Sequence, residues 1–146
     1  MPSWRRLRVG ALVVNTAGQL LGVLGTQGVR VPGVPPPVDF SRNAVAGDIV
    51  ASVVGPNAIG FCCFTSFAVL VTGEADARAP FLALAYYHLS NAVGLGRLAL
   101  AGKQSPAVGD PLPGLAFHGP MFLVTLFCFV TAVWDRAASA PRAKRE

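Results

Sequence analysis

His88 and Arg97 are the residues of this chain best suited to do chemistry in apolar surroundings. A histidine near neutral pH can hold a proton, a hydrogen bond or a metal. An arginine fork clamps a carboxylate or phosphate. Tyr87, His88 and Asn91 fall within about 100° of one helix face. Tyr86, Ser90 and Arg97 gather on the opposite side of the same helix. Gln19, Asn57 and His118 bring further polar groups from other segments. Together, Gln19, Asn57, Tyr87, His88, Asn91, Arg97 and His118 define a candidate ligand cavity. Arg97 would be its anion clamp and Gln19 its floor.

Each of these residues also has a plainer role. Arg97 lies a turn from the expected end of its helix and can snorkel to lipid headgroups. His88 can be a neutral imidazole bonded to a backbone carbonyl, or to Asn15 or Gln19 across a helix junction. Catalysis has thinner support, with His88 or His118 as general base and Tyr87 beside it. Two histidines without H-E-x-x-H or Cys/His spacing predict no metal, and no cofactor motif is present. Cys62, Cys63 and Cys128 lack C-x-x-C spacing and read as reduced, buried thiols.

The elements that must position these groups are set by charge-free windows: Val9–Val29, Ile49–Gly73, Ala79–Gly96 and Pro111–Trp134. Each approaches or exceeds the roughly 20 residues that carry a helix across a bilayer. Of the 146 residues, 53% are hydrophobic and 13% charged, about half the charged share of a soluble domain. The fold class expected is all-α, a four-helix transmembrane bundle running up-down-up-down. Its spans are about 9–27, 49–72, 81–101 and 115–134. They form a single integral membrane domain over 1–146, with basic tails at 1–8 and 135–146. A cleaved signal is the rival reading of the first window. The long apolar stretch and the absence of an A-x-A site favour a retained helix.

The first helix carries Asn15, Gly18, Gln19, Gly22, Gly25 and Thr26 on one stripe. Gly18-x-x-x-Gly22 is a spacing for close helix approach, a route to a homo-oligomer or a larger membrane complex. Pro56 is expected to kink the second helix, with Asp48 as its cap. The proline-broken stretch 103–114 reads as a loop.

Net charge is +5, but no basic stripe with interleaved aromatics exists for nucleic acid. With four spans, Arg5, Arg6, Arg8, Arg78, Arg136, Arg142, Lys144 and Arg145 share one side. Arg30, Arg42, Arg97 and Lys103 take the other. The excess puts both termini in the cytoplasm or its equivalent. The function expected is an accessory subunit, or a non-catalytic binder of a small amphipathic or lipid ligand. The alternative is a small membrane enzyme of isomerase, cyclase or hydrolase type, acting on a lipid or isoprenoid in the outer-half cavity. A minimal oligomeric transporter is a third reading.

Overall fold

The computed structural model describes residues 4–27, 29, 31–33, 55–103 and 110–139. Four α-helices make up the fold: α1 (Trp4–Thr26), α2 (Gly55–Thr72), α3 (Arg78–Leu100) and α4 (Pro111–Ser139). Cross-helix partners give the directions. Gly22 of α1 meets Ile59 near the start of α2, and Asn15 meets Ser66 further along it. Gly18 meets Phe117 near the start of α4, and Arg8 meets Asp135 near its end. Leu95 lies against Gly114 and His88 against His118, so α3 and α4 are also antiparallel. The chain is an up-down-up-down helical bundle in which α1 and α3 face each other diagonally.

Local sequence explains most boundaries. Asp110 caps α4, its Oδ1 accepting from the Leu112 N–H at 3.0 Å. Pro111 and Pro113 then occupy the first turn, where a missing N–H has no intrahelical partner to lose. The expected 103–114 loop is therefore shorter, because these prolines start a helix rather than interrupt one. Pro56 stands in the first described turn of α2, and the segment 49–54 on the other side of the expected kink lies outside the described residues. Asp48 and its capping role lie outside the described residues. The turn between α2 and α3 reverses at Gly73, whose φ of 72° suits a residue without Cβ.

At its N-terminal end α1 runs further than the charge pattern predicts, beginning at Trp4 and taking Arg5, Arg6 and Arg8 into the helix. Arg8 is 2% exposed. Its Nη2 pairs with Asp76 and, at 2.9 Å, with Asp135, while its Nη1 donates to Thr131 Oγ1 at 3.2 Å. Charge was read as the edge of a span, but two carboxylates neutralise this one and allow the helix to continue.

Three helices are long and apolar enough to cross a membrane: Trp4–Gly25, Gly55–Thr72 and Pro111–Ala138. Of the four spans expected, three meet this measure of length and composition, and α3 does not. Among the described residues, α3 falls short because Tyr86, Tyr87, His88, Ser90, Asn91 and Arg97 dilute its apolar content. The outer surface is nevertheless apolar, with Phe61, Phe64, Phe67, Leu123 and Val71 exposed. Inside lie Arg8, Asn15, Gln19, Ser66, His88, Thr125 and Thr131. Apolar outside and polar within is the arrangement a bilayer selects.

The interior is layered. The Arg8 ion cluster closes the end beside the α2–α3 turn. Next comes an apolar layer of Leu12, Val69, Phe81, Leu84 and Cys128. Beyond it, about 10 Å along α1 from Arg8, sits a polar layer around Asn15. The small-residue stripe of α1 is filled from within the chain. A Cβ on Gly18 would lie 2.5 Å from Phe117 Cζ, and one on Gly22 would lie 3.0 Å from Ile59 Cγ2.

Candidate functional site

The polar layer draws on all four helices. From α1 come Asn15 and Gln19, one turn apart on the buried face and both essentially solvent-free. Ser66 projects from α2, Tyr87 and His88 from α3, and His118 from α4. His88 is fully buried, whereas Tyr87 and His118 are half-buried. Phe117 packs edge-on to both histidines, its ring 5.8 Å from His88 and 5.4 Å from His118. The absent Gly18 side chain leaves room for that ring beside α1.

Ser66 sets the hydrogen-bond polarity of the layer. Its hydroxyl donates back to its own helix, to the Cys62 and Cys63 carbonyls at 3.1 and 3.0 Å. With its proton committed, Ser66 Oγ accepts from Thr16 Oγ1 at 2.9 Å and from Asn15 Nδ2 at 3.1 Å. That turns Asn15 Oδ1 toward His88 Nε2, 2.8 Å away. An amide oxygen only accepts, so the His88 proton resides on Nε2. The His88 Nδ1 lone pair then accepts from His118 Nδ1, 2.9 Å away. Neutral His118 has its one proton on Nδ1, which leaves Nε2 as a bare acceptor. These tautomers are assigned by the hydrogen-bond pattern.

The relay ends at Asn15, because a carboxamide oxygen can hold a proton's hydrogen bond but cannot pass the proton on. It orients the histidines and is no continuous proton path. Two polar atoms lack partners among the described residues of this layer. One is His118 Nε2, on the ring edge away from the Nδ1 that meets His88. The other is Gln19 Nε2, which is sealed from solvent with no acceptor, while Gln19 Oε1 accepts from the Tyr87 hydroxyl at 3.3 Å. Tyr87 links the two open positions: its hydroxyl reaches Gln19, and its ring lies edge-on to His118 with centroids 5.6 Å apart.

Of the seven predicted site residues, Gln19, Tyr87, His88 and His118 come together. The other three do not join them. Asn57 is exposed at the start of α2, and Arg97 is exposed on the last turn of α3. Asn91 donates to the Tyr87 carbonyl of its own helix at 2.9 Å. The anion clamp expected from Arg97 is therefore not built into this cluster. Asn57 stands nine residues from Ser66 along α2 and Arg97 nine residues from His88 along α3, about 13 Å of helix in each case, and both side chains are exposed.

Sequence reasoning left Ser66 and Phe117 out of the site. Serine among apolar residues on α2 was a signal in principle, but nothing local said which helix it faced. Asn15 was read as a packing residue or a partner for His88, and it is the group that orients the pair. The described residues contain no group of three or more metal-ligating side chains. All three cysteines are free and buried. Cys62 Sγ lies 3.6 Å from Asn15 Nδ2, and Cys63 Sγ lies the same distance from the Thr16 carbonyl, both as minor partners of α1.

No protein-family model matches the chain, no curated protein matches it, and no solved structure matches it.

Proposed function

We propose that this chain is a multi-pass membrane protein that binds a small amphipathic molecule, holding its polar head against Gln19, Tyr87 and His118. The observation that carries the reading is Gln19 Nε2, a buried amide nitrogen without a partner among the described residues, in the same polar layer as the His118 Nε2 lone pair that the tautomer assignment leaves over. Buried polar groups are ordinarily paired, and an orphan costs about 1–3 kcal/mol, so a polar head that pairs Gln19 Nε2 gains that energy. The apolar outer surface supports a bilayer as the source of such molecules.

In this proposal all four helices cross, with both termini on the inner side. α3 packs along α4 and has a length comparable to the other helices, so it occupies the same slab. Its outward Ser90 hydroxyl donates to the Tyr86 carbonyl at 2.9 Å, which limits the cost of exposing it to lipid. Arg97 lies in the last turn, within reach of headgroups.

Thermal unfolding of the detergent-solubilised chain tests the binding. Either farnesol or palmitate is expected to raise the midpoint of the native chain, through preferential binding to the folded state. A His118→Phe variant should lose the rise. An equal rise in that variant, or no rise with either compound, rejects the reading.

A second reading rests on the oriented pair. His118 Nε2, backed by His88 and Asn15, has the arrangement of a general base with a positioning group. It would abstract a proton from a lipid or isoprenoid substrate, and product formation that survives His118→Phe would refute it.

A further inference from the structure

The two open atoms differ in kind, and their difference selects a ligand. His118 Nε2 offers a lone pair, given the polarity running from Ser66 through Asn15 and His88. Gln19 Nε2 offers N–H, since Gln19 Oε1 already accepts from Tyr87. A single group that bridges them has to donate to the first and accept from the second. A hydroxyl does both with a single oxygen. A carboxylate or phosphate ester anion would set negative charge against the His118 lone pair.

Among the described residues, no cation in the cluster offsets such a charge. Arg8 is held by Asp76 and Asp135 beyond the apolar layer, and Arg97 is exposed on α3. Desolvating an anion without a partner is far more costly than desolvating a hydroxyl. An ether or ester oxygen accepts only, and would leave His118 Nε2 unpaired.

We infer that the head recognised at Gln19 and His118 is an uncharged hydroxyl, so that the ligand class is a long-chain or isoprenoid alcohol rather than a fatty acid or phospholipid. This rests on the binding function proposed above and narrows it. Tyr87 supplies the wall between the two contacts, and Phe117 backs the histidine pair. His88 and Asn15 are positioning residues, holding the His118 lone pair outward without touching the head.

The test uses the full chain in phosphatidylcholine nanodiscs with 15N-labelled histidine, titrated separately with farnesol, farnesyl methyl ether and palmitate. Before ligand, the spectrum is expected to show His88 protonated at Nε2 and His118 at Nδ1. Farnesol should shift the His118 Nε2 resonance saturably, with at least about tenfold higher affinity than the ether, one lost hydrogen bond's worth. Palmitate should give no saturable shift. Gln19→Leu should weaken farnesol several-fold while leaving the histidine tautomers unchanged, a readout that does not depend on replacing either histidine. If ether and alcohol bind equally, or palmitate binds tightest, the hydroxyl assignment is overturned and binding itself stands. If none of the three shifts His118 saturably, both the assignment and the binding reading fall.

Discussion

Asn15 sits where three helices exchange hydrogen bonds, and its loss should be felt more than that of any charged residue on the surface. Asn15→Leu would strand the His88 Nε2–H and remove a donor from Ser66. The expected cost is about 1–3 kcal/mol, the penalty for orphaning a buried donor. Asn57→Ala and Arg97→Ala, both at exposed positions, should stay within about 0.5 kcal/mol of the native chain. Reversible unfolding in mixed micelles ranks the three, and the order would be inverted if the polar cluster were not a real network. The same comparison separates Asn15 from Gln19, whose side chain has an unpaired nitrogen to begin with. Gln19→Leu removes that orphan and one weak hydrogen bond, so it should be far milder than Asn15→Leu. The Tyr87 hydroxyl then loses its 3.3 Å acceptor, a smaller loss than that at Asn15 because Tyr87 is only half-buried.

Helix contacts in this bundle are set by one close approach and one ion cluster. Gly18 lets Phe117 of α4 lie against the α1 backbone, so Gly18→Ala should push the ring aside and cost about 1–3 kcal/mol. Gly10, on the same helix, has nothing within 4 Å of a built Cβ. There the alanine should be neutral or stabilising by up to about 1 kcal/mol, from helix propensity alone. A Gly18→Ala, Phe117→Leu double variant should recover part of the loss, since the shorter side chain vacates the contested space. At the other end Arg8 ties the start of α1 to the α2–α3 turn and to the end of α4. Asp76→Asn and Asp135→Asn should each be tolerated in part, because the remaining carboxylate still pairs a buried guanidinium. Together they should cost more than the sum of the single changes, towards the roughly 3–5 kcal/mol of a buried charge stripped of its partners. Strict additivity in a double-mutant cycle would show that the two carboxylates do not share one arginine.

The whole molecule poses a question of crossings, which labelling answers. Single cysteines at Arg6, Glu74, Lys103 and Ala138, in a background where Cys62, Cys63 and Cys128 are serine, report sidedness by reaction with an impermeant maleimide. Four crossings predict that positions 6, 74 and 138 label from one face and 103 from the other. If 74 and 103 label from the same face, α3 does not cross. The amino-acid pattern by itself determined that the chain is helical, that its outer surface is apolar, and that polar residues concentrate on the helix carrying His88. It did so because burial in lipid demands long uncharged runs, and such runs are visible without knowing any neighbour. It also placed Asn15 and Gln19 on one face of α1, since helical periodicity is local. Only the tertiary structure decided what those faces meet. Arg8 became an interior residue because acids distant in sequence, Asp76 and Asp135, close around it. His88 and His118 became a pair through the rotation of each helix about its own axis, while Arg97 and Asn57 are outsiders, exposed and about 13 Å along their helices from the cluster. That rotation is fixed by contacts such as Phe117 on Gly18, and by Ser66 committing its proton to its own helix. The charge-free windows thus fixed the surroundings of the polar site, while its members and the direction of its hydrogen bonds were settled by packing between helices.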